Sequence, residues 1–375
     1  MNFIILASCN RSIINFRKEL ILEIQKRGFN IILIAPNISD SSKLINFINK
    51  HDMSYHDIHI NRSSKNIISE LFYFVRLLQL FFKIKPVGVL SYTIKPNLHG
   101  MLISWIFKVP MRFAMVTGLG YLFRSDLTGK LIKIAQQIYG FALRRAHVIF
   151  FHNLDDKNTL LELGVISNKS NGVCTHGSGV NVSKFKPTAL PTSENITFLM
   201  IGRLLISKGV NEFFQASLKI HEKYPDVRFI LLGGVGEDDS PDAISPEEIL
   251  LMKQAKHFQL LDGVNDVRPI IESSHVYVLP SYHEGLPRST IEAMAMGRPV
   301  ITSNAPGCKD TVIDGFNGCI VQTKDVLKLA TKMEFFINNH DQIKIMGDNS
   351  RQLVCERFDV NKVNKLMLEQ MEFFI

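Results

Sequence analysis

Short runs of β-branched and aromatic residues alternate with helix-like stretches through this chain, in two separate passages. The first passage runs from NFIILAS through FRKELILEIQKRG and FNIILIAP and ends at HVIFFHN. The second opens with NITFLMIGR, continues through a helix near Val210 to Tyr224, then VRFILLGG, FQLLDG and HVYVLP, a helix after Gly285, and PVITSN. Strands separated by helices must be joined by crossovers, so neighbouring strands run parallel and both sheet faces are covered. Between the passages lies PTALPTSEN, Pro187 to Asn195, with the composition of a linker. At 375 residues the chain exceeds what one core normally supports, and two doubly wound α/β domains are expected, the first ending at residue 186. Such domains would face a cleft and take ligands at the carboxyl ends of their strands.

Charge separates the two halves. Residues 1–186 carry 24 Lys and Arg against 10 Asp and Glu, a balance of +14, whereas the remainder carries 19 against 25, or −6. The basic half therefore calls for an anionic partner. Its apolar segments are cut by cations, as in ELFYFVRLLQLFFKIKP, MLISWIFKVPMRF and GKLIKIAQQIYGFALRRAH, and none is long enough to cross a bilayer. Helices of this type either lie at an anionic membrane surface or flank a parallel sheet with their cations outward. The aromatics fall in apolar helical runs and form no base-stacking platform, so no nucleic-acid partner is expected. Five scattered cysteines without CxxC spacing fit a reducing compartment and no structural zinc. The opening MNFIILASCN reads as a first core strand, not as a signal segment.

The stretch SYHEGLPRSTIEAMAMGRPV, Ser281 to Val300, follows a strand and leads into a helix closed by Gly297. Glu284 would sit on the turn and Glu292 about one turn inside the helix. A glycine turn at a helix start gathers backbone N–H groups and the positive end of a helix dipole, which suits a phosphate. The carboxylates would suit sugar hydroxyls beside it; taken alone, they also fit a solvated turn and an exposed helix face. GRLLISKGV places Arg203 and Lys208 around another strand-to-helix turn, where a fork and a point charge would neutralise a diphosphate or simply face water. Arg124 stands where a Walker A loop before Gly129 and Lys130 needs glycine. LLGGVGEDD, with Gly233, Gly234 and Gly236, does not complete the dinucleotide fingerprint, so these glycines would admit another nucleotide's backbone approach.

In order and spacing, GRLLISKG, VRFILLGG, VNDVRP, VLPSYHEGLPRSTIEAMAMGRPVI and APGCKDTVIDGFNG resemble the donor domain of the retaining glycosyltransferases of family 4, which have the GT-B fold. SYTIKPNLHG, FAMVTGLGYLF, FFHNLDDKN and HGSGVNVSKFKP resemble the branch that builds bacterial O-antigens, capsules and lipid-linked oligosaccharides. The resemblance implies a nucleotide-sugar domain over residues 187–358 and a last helix, 359–375, crossing back onto the first domain. It assigns Arg203 and Lys208 to the donor diphosphate and Glu284 to the donor sugar. Glu292 would hold the ribose, helped by Gly285, Leu286, Ser289 and Thr290 at the helix start and by Gly234. On the acceptor side it implies Lys95, Asn97, Thr117, Gly118 and Arg17, while Asp155 and Asp156 read as helix caps. No metal and no cofactor are expected. The implied donor is a UDP-hexose or UDP-N-acetylhexosamine, and the implied acceptor a polyprenyl-diphosphate-linked glycan at the cytoplasmic face of an anionic inner membrane. Two features depart from the family. ASCNRSIINF replaces a glycine-rich loop, leaving Ser8 to Ser12 as backbone donors, and Thr117 stands where many members carry histidine. A GT-B UDP-N-acetylglucosamine 2-epimerase and a non-catalytic nucleotide-sugar-binding subunit remain as alternatives.

Overall fold

The computed structural model describes residues 1–60, 67–123, 129–193, 195–234 and 242–372. Gly236, Arg124 and Phe374 lie outside them. The chain divides into two compact units, residues 1–178 with 361–375 and residues 179–360.

In the first unit the strands are β1 (Asn2–Leu6), β2 (Asn30–Ala35), β3 (Ser54–Asp57), β4 (Gly88–Tyr92), β5 (Met111–Val116), β6 (Val148–Phe151) and β7 (Gly172–Cys174). They form one parallel sheet in the order β3-β2-β1-β4-β5-β6-β7. The inner strands are buried along their length, β4 and β6 completely, as continuous apolar runs demand when helices cover both faces. After β1 the chain enters a helix at once, through Asn10–Ser12 and a π-helical turn over Ile13–Arg17 into Lys18–Lys26.

The second unit contains β8 (Thr197–Ile201), β9 (Arg228–Leu232), β10 (Phe258–Leu261), β11 (Val276–Leu279), β12 (Val300–Ser303) and β13 (Gly318–Val321). These too are parallel, in the order β10-β9-β8-β11-β12-β13. Strand order therefore reverses between β1 and β4 in one unit and between β8 and β11 in the other. Such a switch point splays the crossover connections apart and leaves a crevice beyond the carboxyl ends of the strands.

The division falls at 178/179, ahead of the expected 186/187. Val180 and Phe185 are buried in the second unit's core, and Val180 shares hydrogen bonds with Phe358 (2.7 Å) and Val360 (2.9 Å), so this segment belongs to that unit. The last helix, Val360–Glu372, returns to the first unit from Asn361 onward. Its Val363, Met367, Leu368 and Met371 are buried with Phe3, Phe29 and Phe113, and Arg27 bonds Glu372 at 2.9 Å. The helix Leu154–Glu162 is capped by Asn153, whose side chain accepts from the Asp156 amide at 2.7 Å; neither Asp155 nor Asp156 serves as the N-cap.

Candidate active site

In the second unit every sequence-nominated group follows one of three adjacent strands. Arg203 and Lys208 follow β8, Gly234 follows β9, and Glu284 to Glu292 follow β11. Lys208 ends a single helical turn, Ile206–Lys208, and Gly209 then takes φ 74°. A Cβ at Gly209 would lie 2.3 Å from the Pro280 carbonyl oxygen, so only glycine lets the β8 loop close on the end of β11. The loops are joined further by Tyr282 N–H donating to Ser207 O (2.8 Å), and Ser281 Oγ lies 3.3 Å from Lys208 O.

This closure brings Lys208 and Glu284 together across 76 residues of sequence, Nζ to Oε1 at 2.5 Å. Ser281 Oγ donates to the same oxygen at 2.9 Å. The side chains keep only 19% and 13% of their surface exposed, so the pair is shielded but still reaches solvent. From below, Gly307 supports the turn: its Cβ would sit 2.3 Å from Glu284 O and 2.6 Å from Gly285 O, with φ 74°. Arg203 is exposed at the mouth of the β8 loop.

The helix Arg288–Ala295 begins at Pro287 with no side-chain cap on its first N–H groups, and its positive dipole end is uncompensated by any acidic residue in the first turn. Ser289 does not offer its hydroxyl there: Oγ donates to Ile201 O (3.1 Å) and accepts from Tyr277 (2.7 Å). Thr290 and Leu286 are buried, so their side chains do not face solvent. Gly234 lies just past β9, with no heavy atom within 4 Å of where a Cβ would stand.

Glu292 is paired with Arg288 at 2.9 Å, and Arg288 also donates to Gly179 O at 2.6 Å. Burial raises the carboxyl pKa above its ordinary value, and Arg288 works against that rise. Arg288 had no role in the sequence reading, although a cation four residues before Glu292 on a helix was a visible signal.

The first unit revises the acceptor-side expectations. Asn97 is fully buried: its amide donates to Met115 O (2.9 Å) and Tyr139 (3.3 Å) and accepts from Ser91 (2.7 Å), so it ties β4 to β5 instead of facing a ligand. Lys95 is held at 2.5 Å by Glu70, whose other oxygen meets His99 at 2.9 Å. Arg17 is also buried, with Nη1 donating to Ser178 Oγ (2.6 Å), Nη2 facing His152 Nε2 (3.2 Å), and Cζ 5.2 Å from the Tyr92 ring centroid. Because a guanidinium only donates, His152 Nε2 accepts and the proton resides on Nδ1. Burial, reinforced by Arg17, holds the His152 pKa well below the usual histidine value. With its lone pair engaged, His152 does not supply the base missing at Thr117. Thr117 and Gly118 are half-buried just beyond β5. Ser8 to Ser12 run into the helix starting at Asn10 rather than forming an open loop. Thr93, unremarked in sequence, has φ 73°, a strained backbone for a β-branched residue, and donates to Ser8 Oγ at 2.8 Å.

Two family models match the chain: glycosyl transferases group 1 over residues 182–353 and glycosyl transferase 4-like over residues 5–153. The chain belongs to the family 4 glycosyltransferases. This glycosyltransferase is 27% identical over 367 residues to the N,N'-diacetylbacillosaminyl-diphospho-undecaprenol alpha-1,3-N-acetylgalactosaminyltransferase of Campylobacter jejuni, covering 92% of each chain. It is 27% identical over 314 residues to the UDP-Gal:alpha-D-GlcNAc-diphosphoundecaprenol alpha-1,3-galactosyltransferase of Escherichia coli, covering 80% of this chain and 79% of that one. Among solved structures, Anabaena HepE in complex with UDP superposes with a TM-score of 0.76 at 15% identity over 99% of this chain and 100% of that one, a likeness in fold. The two parallel-sheet units are those of a GT-B glycosyltransferase.

Proposed function

We propose that this glycosyltransferase moves a hexose or N-acetylhexosamine from a UDP-sugar to a polyprenyl-diphosphate-linked glycan, with retention of anomeric configuration and without a metal. The observation that carries this reading is the Lys208–Glu284 pair beside the uncapped helix start at Arg288, at the switch point between β8 and β11. A donor diphosphate laid across that point would meet Lys208, Arg203 and the N–H groups at the start of the helix. Glu292 would accept from ribose hydroxyls and Glu284 from the donor sugar. As the C1–O bond to the β-phosphate breaks, charge builds on the phosphate oxygens where these fixed positive groups stand, which is where they lower the barrier most. The acceptor hydroxyl oxygen bonds to C1 on the same face, and its proton passes to the departing phosphate. No protein base is then required, which fits the engaged lone pair of His152. Arg203 and Lys208 would carry the charge that a divalent metal carries elsewhere.

The acceptor class is supported by the names of relatives that act on undecaprenyl-diphosphate sugars. A polyprenyl carrier places the work at the cytoplasmic face of a membrane, to which this chain would bind peripherally; among the described residues no helix is long and apolar enough to cross one.

The test is to incubate the purified chain with UDP- and GDP-sugars, with and without undecaprenyl-diphosphate-linked GlcNAc or GalNAc, and to follow nucleotide release and lipid mass. Acceptor-dependent release from a UDP-sugar, undiminished by EDTA and yielding the retained anomer by NMR, is the expected result. Conversion of a sugar nucleotide without acceptor would replace transfer by an epimerase-like activity. Binding without turnover across the acceptor panel would mean a non-catalytic subunit.

A further inference from the structure

Three helices of the first unit bury one apolar face and expose a second. In Ile67–Ile84 the core side is Tyr73, Leu77 and Phe81, yet Leu71 and Phe72 are 62% and 72% exposed. In Lys130–Leu143 the core side is Tyr139, Ala142 and Leu143, yet Leu131 is 82% exposed and Phe141 also faces outward. A helix of a water-soluble fold needs one apolar stripe; a second, unpartnered stripe marks a surface built for something other than water.

The helix Ile94–Ile106 packs between these two and joins their outer faces. Its Trp105, exposed by 43%, meets Phe141 edge-on with ring centroids 6.0 Å apart, and the Arg145 guanidinium lies 4.4 Å from the first ring and 4.3 Å from the second. At the other side Phe107, itself outward-facing, packs 6.3 Å from Phe81 of the neighbouring helix's core side, and Phe82 beside it is 68% exposed. The apolar surface thus continues across all three helices.

Charge selects its occupant. Residues 67–145 carry 11 Lys and Arg against 2 Asp and Glu, a balance of +9, exceeding the +8 of the whole chain. Lys83, Lys108, Lys130, Lys133 and Arg144 are exposed around the apolar stripes, whereas Glu70 is drawn inward to Lys95 and His99. Aromatic and aliphatic side chains rimmed by cations, with a tryptophan where ring and cation meet, match the headgroup–acyl boundary of an anionic bilayer. A protein partner of ordinary composition would call for acids or backbone pairing on this face; neither is presented by the described residues of these stripes.

We infer that the outer face of these three helices is the membrane-docking surface of the enzyme: it lies in the interface of an anionic bilayer, with Phe72, Trp105 and Leu131 below the headgroups and the flanking lysines and arginines among them. This deepens the reading above, from which it takes the lipid-borne acceptor.

Trp105 is the sole tryptophan of the chain and a built-in reporter. Vesicles of phosphatidylcholine with about one-third phosphatidylglycerol should shift its emission to the blue and protect it from acrylamide. Pure phosphatidylcholine should bind at least about tenfold more weakly, and salt should weaken the anionic arm. Phe72→Ser and Leu131→Ser, at exposed positions where folding is spared, should each weaken vesicle binding about tenfold. Both variants should leave transfer to a short-chain, water-soluble diphosphate acceptor unchanged. Unaltered binding in both variants, or an absence of binding to anionic vesicles, would overturn the assignment. So would a lipid-free dimer that these substitutions dissolve, since the occupant would then be a second copy. Loss of transfer to every acceptor while vesicle binding follows this pattern would refute the proposed reaction and leave the surface standing.

Discussion

Replacing Glu284 by Gln tests the logic of the donor site, because the structure predicts opposite effects on binding and turnover. Lys208 is held by Glu284 at 2.5 Å before any ligand arrives. With an effective dielectric constant of about 40, between protein and water, a pair at that distance is worth ~3 kcal/mol. A diphosphate that recruits Lys208 must share it with Glu284 and must approach the carboxylate's own charge. If half the pair energy is forfeited on binding, the neutral glutamine should tighten UDP binding by ~1.5 kcal/mol, about tenfold in Kd. The amide keeps the side chain's shape and can still accept from Ser281. Turnover should nevertheless fall by at least about a hundredfold, since the donor sugar loses its carboxylate. Isothermal titration with UDP, which lacks the sugar, separates the effects; Lys208→Ala should weaken the same titration. Unchanged or weaker UDP binding in Glu284→Gln, together with preserved turnover, would refute the claim that Lys208 meets the diphosphate and Glu284 the sugar.

Arg288 opposes the burial that raises the Glu292 pKa, so Arg288→Ala should raise it further. If the ionised carboxylate accepts from ribose, the fall of UDP affinity on acidification should begin at higher pH in that variant and lose its Glu292 component in Glu292→Gln, as calorimetry across pH would register. The linked stability has the same origin: a folded carboxyl with a raised pKa binds more protons than the unfolded one, so stability is lost as pH rises from the ordinary glutamate value through the raised one. Denaturant melts of Arg288→Ala should show a larger loss over that window than the parent chain. Gly307→Ala forces a Cβ against Glu284 O and Gly285 O; it should cost roughly 1–3 kcal/mol and impair turnover, and parental values for both would contradict the supporting role of Gly307. Arg298 is fully buried, and burial lowers its pKa to about 10, leaving it protonated at neutral pH. Its guanidinium donates to the carbonyls of Thr188, Ala189, Ile271, Glu272, Ser274 and Met296. Arg298→Met strands those acceptors and should cost about 3–5 kcal/mol in a denaturant melt; a loss under ~1 kcal/mol would show that the carbonyls find other partners.

What sequence alone determined about this protein was local in origin. Strand runs such as HVYVLP and helix runs such as IEAMAMG have their periods written in neighbouring residues, so the parallel α/β architecture and the position of Glu284 on a turn were legible. The second apolar stripe on Ile67–Ile84 was visible as basic, aromatic sequence, but which stripe faces the core was not. Tertiary structure decided which side chains meet. Lys208 finds Glu284 only because two loops converge at a strand-order reversal, and Arg17 finds His152 across 135 residues. Lys95 and Asn97, implied on the acceptor side, follow β4, yet one is held by Glu70 and the other is sealed against β5. The physical reason is common to these cases: a hydrogen bond or ion pair depends on position to within a fraction of an ångström, and that position is set by packing of distant segments that no local pattern records.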